Sequence, residues 1–176
     1  MEQIGFLGAY DKKDLLINVA TVLTNAGKSV LIVDATSVQR MRYVVPNIST
    51  NQSFSYVSEY SKIDVALGFM TLNDIAQYLK RNLNYDYILI DSDNPQTMNS
   101  FGIQGMKKIF FVTSYEQYDM LKGAELLRFV QMPIEVVKVI STTNMNDAED
   151  KLLNSKVSNS NIKWSNSRIE FSDLDV

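Results

Sequence analysis

Three short stretches of the chain carry side chains suited to holding a phosphate. The first is GAYDKKD, residues 8–14, where Gly8 is followed by the paired lysines Lys12 and Lys13. The second is Asp34, at the end of VLIVD, and the third is Asp91, at the end of YDYILID. A glycine turn that opens a helix offers backbone N–H groups to an anion, and a lysine adds a point charge. Carboxylates at nearby strand ends are oxygen ligands of the kind Mg²⁺ takes. The loop chemistry also argues against a working phosphate site. A close cradle needs several residues free to turn inward N–H groups, and GAYDKKD has one glycine. Asp11 would face a polyphosphate, and two like charges ~4 Å apart repel by ~4 kcal/mol at an effective dielectric of ~20. No hydroxyl stands beside Lys12 to hold Mg²⁺.

Composition narrows the field. The 176 residues have a net charge of -3 and contain neither Cys nor His. That removes disulfides, thiolate metal sites, Cys nucleophiles and His-based acid–base chemistry. The charge and the scattered Lys and Arg residues give no reason to expect nucleic-acid binding. The N-terminus lacks the charged and apolar regions of a signal peptide, and no apolar run approaches the ~20 residues that span a bilayer. A cytoplasmic location without membrane insertion is the expectation.

These candidates must be positioned by strands and helices. QIGFLG reads as a first strand. DLLINVATVLTNAG is a helix with apolar residues at helical spacing and Gly27 as its stop. KSVLIVD is apolar without alternation, as in a strand covered on both faces. The spacing in VQRMRYVV suggests a helix before Pro46, SFSYVS a short strand, and residues 47–53 a loop. TLNDIAQYLKRNLN opens with Thr71 and Asp74 in capping-box spacing. YDYILID, KKIFFVTS and IEVVKVIST are further strands, with a helix over EQYDMLKGAELLRFVQ between the last two. NDAEDKLLNS reads as a short helix, residues 154–167 as polar Asn/Ser-rich loop, RIEF as a last edge strand and SDLDV as a loose end. Alternating strands and helices imply right-handed crossovers. The expectation is one α/β domain over residues 1–176, a doubly wound, mainly parallel sheet with helices on both faces. Ligands on such sheets sit beyond the C-terminal strand ends, where Gly8, Asp34 and Asp91 fall.

This arrangement resembles the MinD/ParA family of P-loop ATPases, over roughly residues 3 to 140. NVATVLTNAGKSVLIVD is similar to the family's helix and second strand, and YDYILID to its Walker B strand. KIFFVTSYEQYDMLKGAELL looks like a later strand–helix unit of the family. The loop departs from the family's deviant Walker A, KGGxGKTT. Leu7 stands at the signature Lys, and Gly8 matches the first Gly. Ala9, Tyr10 and Asp11 take the following three places, and Lys12 keeps the P-loop Lys. Lys13 replaces the Mg²⁺-binding Thr and Asp14 the next Thr. Asp34 is present where the family has Asp-x-Asp, but Thr36 takes the second place.

The resemblance implies a P-loop NTPase-like topology and a catalytically degenerate pseudo-ATPase. Such a protein acts through protein partners or as a homodimer, as a scaffold or localisation factor for bacterial envelope, secretion, pilus or partition machinery. TadZ/CpaE-like localisation proteins are the nearest analogy. No cofactor or metal is expected, and no residue is assigned a catalytic role. The alternative is an ATP–Mg²⁺ switch with an unusual loop, using Gly8, Lys12, Lys13, Asp34 and Asp91. A receiver-like domain with Asp34 or Asp91 as phosphoacceptor ranks last, since FFVTSYEQ offers no lysine.

Plainer roles compete for the same residues. Lys12 and Lys13 read as a solvated basic pair, and Asp14 as the helix cap. Asp91 reads as the salt-bridge partner of Lys12 or Lys13, Asp34 as a turn cap, and Asp93–Asn94 as a turn before Pro95. Tyr56, Tyr60 and Phe69 are candidates for a partner surface. Tyr115 and Tyr118 are candidates for exposure, and Trp164 for an anchor of the tail or a contact with another chain.

Overall fold

A computed structural model describes residues 1–46, 55–142 and 147–172. Its centre is an eight-stranded sheet. In chain order the strands are β1 (Glu2–Leu7), β2 (Val30–Asp34), β3 (Tyr56–Tyr60), β4 (Ile63–Leu67), β5 (Tyr87–Ser92), β6 (Lys108–Ser114), β7 (Ile134–Ser141) and β8 (Ile162–Phe171). They lie side by side as β3-β4-β2-β5-β1-β6-β7-β8. All neighbours are parallel except β3 and β4, which form an antiparallel hairpin.

The helices are α1 (Lys13–Asn25), α2 (Leu72–Leu79), α3 (Pro95–Ser100), α4 (Gln117–Leu127) and α5 (Asp147–Lys156). Side-chain alternation sends successive strand residues to opposite faces. Phe6, Ile32 and Leu89 pack with Leu16 and Ala20 of α1 on one face. Leu7 and Phe111 pack with Leu126 and Leu127 of α4 on the other. Beside them, Leu31, Val33 and Ile88 meet Ile75 of α2. All five residues of β2 are buried, as its unbroken apolar run requires. Each such aliphatic side chain contributes about 1.5–3 kcal/mol. Thr71 Oγ1 accepts from Asp74 N at 3.1 Å and starts α2 as its spacing suggests.

Several expectations need correction. Residues 38–45 form only a 3-10 turn, Arg40–Tyr43, whose Met41 and nearby Val45 are buried. The turn before Pro95 opens a helix: Asn94 caps α3, accepting from Thr97 N at 3.0 Å. Most of the expected loop at 154–167 is structured, because α5 runs to Lys156 and β8 starts at Ile162. β8 is ten residues long and exposed on one edge, so its polar side chains cost nothing there, while pairing with β7 supplies its hydrogen bonds. The expected loop at 47–53 and nearly all of SDLDV lie outside the described residues.

The parallel order places β5 between β1 and β2. The chain therefore leaves β1 toward one side of the sheet for β2 and later takes the other side for β6. Gly8, Asp34 and Asp91 lie at this point, at the C-terminal ends of adjacent strands.

Candidate functional site

Gly8 turns the chain out of β1 with φ of +133°, and a Cβ there would lie 2.3 Å from the Val112 carbonyl oxygen. Only glycine meets both conditions. Its N–H donates to the Ser92 carbonyl at 3.2 Å, tying the loop to β5.

Lys12 does not stand in solvent as one of a solvated pair; it is 2% exposed. Its Nζ donates to the Gly8 carbonyl and, at 3.1 Å, to the Tyr10 carbonyl. It also lies 3.0 Å from Asp91 Oδ1. An ammonium has three donors, and the loop's own carbonyls and Asp91 surround all three. Burial explains the arrangement, since a charge removed from water needs a counter-charge or strong acceptors. Lys13 behaves as the solvated lysine, partly exposed and 3.5 Å from the exposed Asp14.

Asp14 sits in the first turn of α1, where its charge suits the helix dipole, but it caps nothing. Asp11, one residue before the N-cap position, turns its carboxylate to the helix start instead. Its Oδ1 accepts from Lys13 N at 3.1 Å, and its Oδ2 lies 3.6 Å from Arg40 Nε. The chain has placed a carboxylate of its own at the start of α1.

Asp34 and Asp91 are opposite each other in the β2–β5 register. Asp34 is buried and organises the loop that follows it. Oδ1 accepts from Thr36 N at 3.1 Å and Thr36 Oγ1 at 2.6 Å, and Oδ2 from Met41 N at 3.0 Å. It is the turn cap its sequence position suggests. Asp91 is 4% exposed and pairs with Lys12, yet its Oδ1 has no aligned hydrogen bond. Burial pushes its carboxyl up to about 7, with Lys12 opposing the shift and Asp34 and Asp93 adding to it.

A cavity of about 360 Å³ lies over these groups, between the loop and α4. Its walls include Asp93 and the exposed Tyr118 and Phe129. Asp93 Oδ1 accepts from Ser37 N at 2.9 Å, Ser37 Oγ at 3.1 Å and Asn94 Nδ2 at 3.0 Å. The site thus brings together Gly8, Lys12, Lys13, Asp34 and Asp91. Sequence reasoning missed the roles of Asp11 and of α4, although Tyr118, Lys122, Glu125 and Phe129 recur at the spacing of one helix face. Among the described residues, no group of three His, Cys, Asp or Glu side chains is placed to hold a metal.

The other aromatic candidates divide. Tyr56 and Phe69 are buried and form no partner surface, and Tyr60 is 36% exposed. Tyr115 is partly buried. Trp164 anchors β8, its ring 5.8 Å from that of Phe111.

Sequence comparison finds no matching family model and no matching curated protein. Solved structures do match. An AMPPNP-bound putative plasmid partition protein from Borrelia burgdorferi is 14% identical, over 98% of this chain and 86% of that one, with a TM-score of 0.55. A MinC:MinD cell division protein complex from Aquifex aeolicus is 16% identical over 86% and 72%, with a TM-score of 0.51. The pNOB8 ParA bound to nonspecific DNA is 13% identical over 90% and 75%, with a TM-score of 0.55. The fold is therefore MinD/ParA-like, and these identities show the fold alone. No helix among the described residues is long and apolar enough to cross a membrane.

Proposed function

We propose that the chain is a catalytically degenerate MinD/ParA-like pseudo-ATPase. It works as a protein-binding scaffold, a localisation or assembly factor for a bacterial envelope, secretion, pilus or partition machinery. The observation that carries this reading is the engagement of Lys12. A lysine that serves a polyphosphate keeps donors for it, whereas Lys12 Nζ is held by two loop carbonyls and Asp91. The carboxylate of Asp11 lies at the helix start, where a phosphate would gain from free N–H groups. With Lys13 in place of a hydroxyl residue, these groups do not fit a Mg²⁺–polyphosphate.

The alternative is an ATP-dependent switch, favoured by the AMPPNP carried by the partition-protein neighbour. It requires Lys12 to leave Asp91 and Asp11 to leave the start of α1. Thermal unfolding with excess ATP or ADP, with and without Mg²⁺, separates the two. A ligand at 100 times its Kd adds ~2.7 kcal/mol of stability. The expected result is no shift. A Mg²⁺-dependent rise that disappears in Lys12→Ala overturns the pseudo-ATPase reading.

A further inference from the structure

Helix α4 gives one face to the core and the other to solvent. Met120, Ala124 and Leu127 are buried, while Tyr118, Lys122, Glu125 and Phe129 are exposed. These last residues are spaced by four, three and four positions, which sets them in one stripe along a helix. The winding continues past the end of α4, because the N–H groups of Arg128, Phe129 and Val130 donate to the carbonyls of Glu125, Leu126 and Leu127. The side chains of the stripe all line the same cavity, so Phe129 stays on its line. Tyr118 is 66% and Phe129 51% exposed. Aromatic rings of this kind are what protein interfaces enrich. Between them, Lys122 and Glu125 are half exposed and 3.3 Å apart.

Along the stripe the order is aromatic, cation, anion, aromatic, and the midpoint falls between Lys122 and Glu125. A second copy turned about a two-fold axis through that midpoint brings α4 against α4, antiparallel. Lys122 then faces Glu125 of the second copy, and Tyr118 faces Phe129 of the second copy. The axis repeats both contacts in the other direction. Every contact joins unlike charges or two rings. A parallel arrangement would set Lys122 on Lys122 and Glu125 on Glu125, which repulsion disfavours. A patch that is its own complement under a two-fold axis is the form a symmetric dimer uses. The ion pair within each chain is no obstacle. An exposed pair contributes little by itself, and in the dimer it becomes one side of a square of alternating charges.

We propose that two copies of this chain pair through the exposed face of α4, antiparallel and without nucleotide. This goes beyond the scaffold reading, which names no partner. None of the paired groups needs a phosphate or a metal to complete it. The stripe is short, so the interface belongs to the small, transient class, and dimer and monomer exchange at micromolar concentrations.

The test is analytical ultracentrifugation of the full chain over a micromolar concentration range, with and without ATP–Mg²⁺. A dimer is expected in both. Lys122→Glu alone and Glu125→Lys alone each replace the unlike contacts across the axis with like ones, at exposed sites that leave the fold intact. Each should weaken dimerisation about tenfold or more. Mixing the two variants restores every unlike contact, and a heterodimer as tight as the unaltered pair is expected. Tyr118→Ala should weaken the dimer severalfold. Lys163→Glu and Glu135→Lys make the same changes in net charge at exposed positions of β8 and β7, and should leave it unchanged. A chain that stays monomeric throughout overturns the proposal. So does a dimer that Lys122→Glu and Glu125→Lys leave intact, or a mixture no tighter than its components. An equal loss in the Lys163 and Glu135 variants overturns it as well, because net charge or the sheet edge then governs association. A dimer that forms only with ATP–Mg²⁺ overturns both this inference and the pseudo-ATPase reading. A monomer that binds no nucleotide removes this inference and leaves the scaffold reading standing.

Discussion

Asp34 and Asp91 end adjacent strands in register, and the fold satisfies them in opposite ways. Asp34 receives three hydrogen bonds from the loop that follows it. Asp91 receives a buried lysine at 3.0 Å and no aligned hydrogen bond. A buried carboxylate with only a counter-charge, like Asp91, still bears most of its desolvation cost.

That contrast sets the pH dependence of stability. The Asp91 carboxyl is pushed from an ordinary 3.8 up to about 7, by burial above all, against the attraction of Lys12. The groups facing it are Lys12, Asp34 and Asp93. The native state therefore holds a proton that the unfolded chain has released. Its stabilising contribution is complete below 3.8, declines as pH rises and is gone above about 7. Denaturant midpoints across this window are expected to fall with rising pH. In Asp91→Asn, which cannot ionise, that decline should be absent.

The same coupling makes the cost of losing Lys12 depend on pH. Removing one member of a buried pair strands the other, at about 3–5 kcal/mol. Lys12→Met is expected to approach that cost above the Asp91 titration, where the carboxylate is charged. Well below it the cost should shrink, because a neutral Asp91 needs no counter-charge. Chemical unfolding of the two proteins at both ends of the window reads the difference directly. An equal cost at both ends means that Asp91 stays ionised throughout.

Gly8 is held by geometry rather than by ligand chemistry. A methyl group there would meet the Val112 carbonyl oxygen at 2.3 Å with φ at +133°. Gly8→Ala is expected to cost about 2–4 kcal/mol from overpacking and left-handed strain together. Gly27→Ala has nothing within 4 Å of its added Cβ and retains only the strain of φ at +81°, so it should cost about 1 kcal/mol. Thermal melts of the two variants should rank them in that order.

The parts of the fold visible in the sequence were those whose local pattern carries the structure. The unbroken apolar runs of β2 and β5 and the helical spacing of α1 follow from burial on two faces or one. A salt bridge from Asp91 to one of the two lysines was legible too, because a strand-end carboxylate beside Lys12 and Lys13 needs a cation; which lysine it takes was not. The burial of Lys12 was not, since it depends on Gly8 and Tyr10 presenting their carbonyls inward. Asp14 lies inside α1 and does not cap it, because the helix begins at Lys13, earlier than the apolar residues suggest. β8 was hidden for another reason: an edge strand rich in Asn and Ser draws its stability from β7 and from one aromatic anchor, neither of which its own periodicity records.

That anchor offers the last prediction. Lys138 of β7 is 7% exposed, and Asp150 of α5 accepts from it with both oxygens at 3.1 Å. Asn154 accepts from it at 2.5 Å, and its Nζ lies 4.7 Å from the centre of the Trp164 ring. Arg168 of β8 reaches the same carboxylate at 3.1 Å. Asp150 thus joins α5, β7 and β8 through two cations; its loss leaves the buried Lys138 without a counter-charge, while Arg168 keeps Glu170 at 3.3 Å and Asp147 at 3.8 Å. Asp150→Ala is expected to cost about 3 kcal/mol or more. Lys138→Met leaves Asp150 paired with Arg168 and keeps an aliphatic stem against the indole, so it should cost no more than about 1 kcal/mol. Trp164 is the only tryptophan in the chain, which makes fluorescence a direct readout of this junction. In Asp150→Ala the emission should move to longer wavelength at denaturant concentrations where far-ultraviolet circular dichroism is still native, as β8 loosens ahead of the rest of the sheet. Coincident transitions by the two signals would mean that β8 unfolds only with the whole sheet and that Asp150 is no separate clamp.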